Sequence, residues 1–337
     1  MSARRVLVTG ATGFLGGAVA ARLHAAGDEV TATGRDLAAG EALRARGLNF
    51  VAADLTDAAA VDRLCAAQTH VVHCAARAAS WGPYDAFWQA NVLATRHVAE
   101  ATRRAGGHLV HISTPSIYVA RRDQFDVPED APLPPPINHY AATKHLAELE
   151  VDQAHAAGLS VITLRPQAIL GPGDTTLMPR ILGLAARGTL PVIGDGSMTL
   201  AVTGVENAID AIEAALAAPP AALGRKYNIT DGEAVRLQAV LDQVFALLGV
   251  QCRRRHISRG LAWMLAGLVE TLWRLLRRGE PPLTRYAVCL LGYGRTLDIS
   301  AARRDLGYAP RVPLDETLAR FADWWRQANP PHGDKTC

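Results

Sequence analysis

A short apolar run, "RVLVTG" at 5–10, ends in a glycine-rich loop, "TGATGFLG" at 9–16, which leads straight into the helix-spaced stretch "GAVAARLHAAG" at 17–27. Strand, glycine loop, helix is the opening of a βαβ unit, whose next strand must run parallel to the first. Gly10, Gly13 and Gly16 recur at three-residue spacing. In such a turn the first glycine permits the tight bend, the second lets backbone amides approach a pyrophosphate, and the third lets the helix pack close to the strand. The helix N-terminus then faces the anion. Phe14 and Leu15, between the last two glycines and beside the helix start, belong to the same expected cofactor cradle.

The alternation continues. "EVTATG" (29–34), "LNFVAADL" (48–55), "HVVHCAA" (70–76), "HLVHIST" (108–114) and "SVITLRP" (160–166) read as strands with helical segments between them. The expected fold class is therefore α/β: a Rossmann-type doubly wound parallel sheet, covered on both faces, with a smaller C-terminal substrate-binding region. After Pro166 the pattern turns helical and proline-rich, which divides the chain into a dinucleotide-binding domain over 1–171, with 203–230 returning to it, and a substrate-binding region from 172–202 and 231–337. The latter is expected over the carboxyl edge of the sheet, where open α/β sheets bind ligands.

Composition excludes several classes. With 337 residues, 49% of them apolar, the chain can bury a full core. A net charge of +3 gives no footprint for nucleic acid. The five cysteines (Cys65, Cys74, Cys252, Cys289, Cys337) include no C-x-x-C pair, which fits a reducing compartment. The apolar run in "MSARRVLVTG" is too short for a signal peptide, so a cytoplasmic location is expected. His108 and His111 stand three apart on one strand and so face opposite sides; no metal site is expected.

The end of the second strand bears on the cofactor. An acid about 20 residues beyond the loop serves the ribose hydroxyl of NAD. Here the strand ends "TATGRD". Arg35 can pair with a 2′-phosphate and Gly34 leaves room for it, which favours NADP over NAD; Asp36 is the counter-signal. Asp54 and Leu55, in "ADL", are expected near the adenine, and Ala75 and Ala76, in "CAA", supply the small side chains that close packing against a dinucleotide needs.

Of the 35 lysines and arginines only three are lysines, and Lys144 lies four residues after Tyr140 in "NHYAATKHLAE". Residues i and i+4 share a helix face. An ammonium beside a phenol is expected to lower the phenol's pKa, making it a usable acid or base. A hydroxyl partner should lie on a neighbouring strand end, and "HISTPSIY" (111–118) offers Ser113, Thr114 and Ser116.

"TGATGFLG", "DL", the Ser/Thr strand end, "YAATK" and "LRPQAILGPGD", in this order, resemble an extended short-chain dehydrogenase/reductase over nearly the whole chain. The resemblance implies that Tyr140 exchanges the proton, that Thr114, marked by Tyr118 four residues on, holds the substrate oxygen, that Lys144 binds ribose and tunes Tyr140, and that Asn91 completes the catalytic set. Pro166 is expected at the nicotinamide edge. Sugar 4,6-dehydratases carry Asp-Glu after the catalytic Thr, where this chain has Pro115 and Ser116. Nucleotide-sugar epimerases usually place Asn where it has Ala168.

"AASWGPYDAFWQANV", "STPS", "RGEPPLTRY" and "ARRDLGY" resemble the 3β-hydroxysteroid dehydrogenase branch and are most similar to bacterial 2-alkyl-3-oxoalkanoate reductases of olefin biosynthesis. This implies NADPH-dependent reduction of a hydrophobic β-keto substrate. The alternatives are a nucleotide-sugar epimerase, a steroid dehydrogenase/isomerase, or a non-catalytic dinucleotide sensor, against which the Thr114–Tyr140–Lys144 set argues. The apolar segment 261–276 is expected to line an alkyl-chain channel. With Arg253–Arg255 before it and Arg277–Arg278 after it, a minor reading of 253–278 is contact with a membrane or a partner enzyme. A homodimer is expected.

Overall fold

The computed structural model describes residues 3–276 and 279–330. Seven parallel strands form the central sheet, in the order Lys226–Ile229, Ser160–Pro166, His108–Ile112, His70–His73, Arg5–Thr9, Glu29–Gly34, Asn49–Ala52. The order reverses between Arg5–Thr9 and His70–His73. That switch point opens a crevice at the carboxyl ends of the strands.

Alternation along the strands serves both faces, as period-two geometry requires. Val6, Val8, Val72, Val110 and Ile162 pack against the helices Phe14–Ala25 and Val205–Leu216. Leu7, Val71, Leu109 and Val161 pack against Ala58–Cys65, Ala94–Arg104 and His139–Ala156. The strand Lys226–Ile229 joins the sheet beside Ser160–Pro166, bringing the chain back to it after residue 203.

The region beyond Pro166 is less helical than its sequence suggests. A four-stranded sheet in the order Ala234–Arg236, Thr199–Ala201, Arg295–Leu297, Gln124–Val127 sits there, with two further strand pairs. Three- and four-residue strands are too short to display a period, and their partners come from distant segments. Gln124–Val127 reaches this sheet from the first half of the chain.

The helix His139–Ala156 starts where Asn138 caps it, the side chain accepting from Ala141 N at 2.8 Å. It is held down by a buried ion pair. Arg165, next to last in the strand Ser160–Pro166, donates through Nε and Nη2 to Glu148 at 2.8 and 2.6 Å, with both side chains almost wholly excluded from water. Ser113 Oγ donates to the same carboxylate at 2.5 Å, and Arg165 also donates to Tyr118 Oη and to the Glu129 carbonyl. Burial opposes the charge of Glu148, but the Arg165 pairing wins and holds its carboxyl below the usual range. Removing one partner of such a pair strands the other in a low dielectric. Glu148→Gln is expected to cost about 3–5 kcal/mol in urea unfolding; a loss of only a few tenths would mean that the helix is seated by apolar contacts alone.

Candidate active site

Gly10 adopts φ +67°, and a Cβ there would lie 2.7 Å from Ala75 N; at Gly16 it would lie 2.3 Å from Gly10 O. Neither position has room for a side chain. Gly13 is the N-cap of the first helix and offers no side-chain cap, so no side chain of the cap residue competes for the opening amides, as an anion site requires. Ala75 N donates to Thr9 Oγ1 at 3.2 Å, which holds Ala75 and the exposed Ala76 beside the loop. Phe14 and Leu15 are partly buried against the core behind it. A cradle that any Cβ would fill fits the pyrophosphate of a dinucleotide.

At the next strand tip a Cβ on Gly34 would meet Thr12 Oγ1 at 2.6 Å. Arg35 is exposed, and its charge acts on Asp54. Asp36 caps the helix Leu37–Ala45, accepting from Ala39 N at 3.0 Å. Asp54 accepts from Thr56 N and Oγ1, both at 2.9 Å, bonds that hold its carboxyl low. The carbonyl of Leu55 meets His97 Nδ1 at 3.1 Å. Pro166 ends its strand opposite Ile229.

Tyr140 enters on the first turn of its helix, half-buried, and Lys144 lies one turn on, 1% exposed. The phenol's polar neighbours are Thr114 and Tyr286. Thr114 Oγ1 donates to Ser116 Oγ at 3.0 Å, and Ser116 Oγ lies 2.7 Å from Tyr286 Oη. The result is a row of hydroxyls from Tyr140 to Tyr286 with no carboxylate in it. Ser113, adjacent in sequence, faces the other way, onto Glu148. Asn91 is fully buried within a π-helical turn, Trp88–Leu93, a distortion frequent at functional sites. Its Oδ1 accepts from Arg77 N at 2.7 Å and its Nδ2 donates to Thr143 Oγ1 at 3.0 Å. It therefore braces the Tyr140 helix from behind.

The expectation that Lys144 lowers the Tyr140 pKa is overturned. Burial raises the phenol, Tyr286 adds to the rise, and Thr114 offsets part of it. The Lys144 ammonium is turned to the Ile112 carbonyl at 2.7 Å, and burial draws its own pKa down to about 8 against the pull of Glu148 and Cys74. Helical spacing put the two residues on one face but did not set what each touches. In the free chain burial of the Tyr140 phenol favours its protonated form.

Tyr286 and Arg295 were missed by sequence reasoning. Tyr286 stands in "RGEPPLTRY" and Arg295 in a three-residue strand, and no local spacing marks either one. The 261–276 expectation also changes. In the helix Arg259–Leu275, Trp263 turns inward, packing beside Ile137 and Tyr286 and meeting the guanidinium groups of Arg121 and Arg285. Leu261, Met264, Leu265, Leu268, Leu272, Leu275 and Leu276 form the outer face and are exposed. Most of the segment thus lines no channel; Arg277–Arg278 lie outside the described residues. His108 Nε2 meets the Ala215 carbonyl at 3.0 Å, whereas His111 stacks on His73 on the other face. Among the described residues no cluster of metal-ligating side chains occurs and no helix is long and apolar enough to cross a membrane.

Comparison with known proteins agrees with this geometry. The model of the NAD dependent epimerase/dehydratase family matches residues 6–230. A 2-alkyl-3-oxoalkanoate reductase of Stenotrophomonas maltophilia is 38% identical over 330 residues, covering 94% of this chain and 98% of that protein. A 3beta-hydroxysteroid-dehydrogenase/decarboxylase of Arabidopsis thaliana is 32% identical, over 88% of this chain and 71% of that one. The crystal structure of UDP-glucuronic acid 4-epimerase from Bacillus cereus in complex with NAD superimposes with a TM-score of 0.76 over 96% of each chain, at 22% identity, and so speaks for the fold. Fold, glycine cradle and relatives define an NAD(P)-dependent oxidoreductase acting on CH–OH and C=O groups. The chain belongs to the NAD dependent epimerase/dehydratase family, the extended short-chain dehydrogenases/reductases.

Proposed function

We propose that the chain reduces the ketone of a hydrophobic β-keto substrate, of the 2-alkyl-3-oxoalkanoate kind, to the alcohol, with NADPH as cofactor. The observation that carries this reading is the row of hydroxyls around a protonated Tyr140. The bound nicotinamide supplies the hydride. Tyr140 Oη gives its proton to the carbonyl oxygen, Thr114 Oγ1 holds that oxygen in place, and Lys144 serves the ribose. Asn91 positions the helix that carries both Tyr140 and Lys144. Gly10, Gly13, Phe14, Leu15 and Gly16 hold the pyrophosphate, Asp54, Leu55, Ala75 and Ala76 the adenosine side, and Pro166 the nicotinamide edge.

The residues that would direct a sugar are absent from their positions. Pro115 is buried and Ser116 is tied to Tyr286, so no acid stands there to eliminate water. Ala168 keeps a left-handed backbone, φ +45°, which an asparagine would adopt more easily; the turn is retained without the amide. The relatives named as reductases of alkyl-oxoalkanoates support the same choice. NADPH oxidation should be measured against 2-alkyl-3-keto acids, 3-ketosteroids and nucleotide sugars. The keto acids are expected to react, and Tyr140→Phe to lose about 10²–10⁴ in rate with cofactor binding kept; turnover of a nucleotide sugar without cofactor consumption would reject the reading.

Asp36 is engaged as a helix cap and Arg35 is exposed beside the ribose end, so NADPH is the better fit. Arg35→Ala is expected to weaken NADPH binding by about 1.5–3 kcal/mol and leave NADH binding unchanged; equal losses in a fluorescence titration would remove Arg35 from cofactor choice.

We also propose that the outer face of Arg259–Leu275 rests on an anionic bilayer. Its exposed leucines form one stripe, and the sole acid in 251–276, Glu270, is buried and accepts from Arg285 N, while Arg253, Arg255 and Arg274 are exposed. An apolar stripe with a basic rim suits a helix lying in the interface plane. The chain should co-sediment with phosphatidylglycerol vesicles, less with phosphatidylcholine alone, and Leu268→Asp with Leu272→Asp should abolish this at an unchanged melting temperature. Vesicle binding that survives the double substitution, or a dimer that the substitution splits, would assign the stripe elsewhere.

A further inference from the structure

Arg295 lies on the strand Arg295–Leu297 and is 5% exposed. Its Nε and Nη2 are buried and meet no hydrogen-bond partner among the described residues. The groups acting on its charge are Tyr286 and Cys289, and burial outweighs them, drawing its pKa below the ordinary arginine value. A guanidinium taken out of water without a counter-charge is costly, and buried charges are paired as a rule. An exception of this kind is best explained by an anion that arrives later.

The orphaned atoms name the anion's shape. Nε and Nη2 form the side-on edge of the guanidinium, which grips a carboxylate with two parallel hydrogen bonds. This chain uses that edge repeatedly: Arg165 on Glu148, Arg96 on Glu150 and Arg4 on Asp28 all present Nε and Nη2 to a carboxylate. At Arg295 the same edge meets no carboxylate among the described residues. The backbone around it is fixed, since Gln167 Nε2 donates to the Arg295 carbonyl at 3.0 Å and the strand pairs with neighbours on both sides. Tyr286, whose phenol feels the charge of Arg295, lies 2.7 Å from Ser116 Oγ, to which Thr114 Oγ1 donates.

We infer that Arg295 is the specificity residue that receives the substrate's carboxylate, so that the enzyme takes β-keto acids rather than neutral ketones. The inference rests on the reductase reading and narrows it. It also accounts for the buried charge, because the ligand supplies the missing partner.

The test runs the reaction backwards, where the substrate is stable. Wild-type enzyme and Arg295→Met are assayed with NADP⁺ and 2-butyl-3-hydroxyoctanoic acid or its methyl ester, following NADPH formation. Wild type should prefer the acid in kcat/KM, and Arg295→Met should lose about 10–100-fold on the acid while the ester is oxidised as before. Arg295→Lys should recover part of the preference. Melting curves add a second readout: since Nε and Nη2 of Arg295 meet no partner among the described residues, Arg295→Met should melt no lower than wild type, whereas an arginine needed for structure would show a clear drop. Equal use of acid and ester by wild type, or a parallel loss on both in the variant, overturns the inference and leaves the reductase reading standing. Failure of both compounds with both enzymes overturns that reading and the inference with it.

Discussion

The buried pair Arg165–Glu148 is the constraint on which the rest of this structure depends. It joins three neighbouring elements near the carboxyl edge of the sheet. Arg165 is the penultimate residue of one strand, Ser113 follows the end of its neighbour, and Glu148 lies about two turns beyond Tyr140 in the helix His139–Ala156. Tyr118, bridging Arg165 and Asn228, ties the returning strand Lys226–Ile229 into the same network. A pair of this kind adds little net stability over a well-packed apolar replacement. What it supplies is a single registry: the phenol, the Thr114 hydroxyl and the lysine cannot slide relative to one another without breaking charge-assisted bonds.

Around that anchor the site is polarised by burial. On one side the glycine loop leaves backbone amides open. In the middle lie neutral hydroxyls, with Tyr140 held protonated and Lys144 drawn toward neutrality by the same low dielectric. Beyond Tyr286 comes the Arg295 guanidinium, whose Nε and Nη2 meet no partner among the described residues. This sequence of environments suits the transfer of one hydride and one proton to a carbonyl, and it offers no acid for dehydration. The exposed leucine stripe faces outward from the helix whose inner side, through Trp263, packs on the same apolar cluster as Tyr286.

What the amino-acid sequence disclosed was local. Gly10 and Gly16 could be read from spacing because a backbone contact at 2–3 Å tolerates only glycine, and Tyr140 and Lys144 because a helix repeats every three to four residues. The parallel sheet followed from alternating strand and helix signals. What stayed hidden was non-local. The four-stranded sheet joins segments from both halves of the chain by strands too short to carry a pattern. Burial of the Tyr140 phenol, the turn of Lys144 toward Ile112, and the missing partner of Arg295 depend on which distant residues close over them. The segment 261–276 is apolar, but the side it presents to water is set by packing of Ala262, Ala266 and Gly267, not by hydropathy.

The central claim is that the carbonyl is reduced by net hydride transfer to its own carbon. Single turnover with NADPH deuterated at the transferring position of C4, on a 2-alkyl-3-keto acid, tests it most directly by mass spectrometry of the product. Reduction by net hydride transfer places one deuterium on the former carbonyl carbon of the hydroxy acid, with one NADP⁺ formed per product. An isomerised product, unlabelled, with the cofactor left reduced, would contradict it.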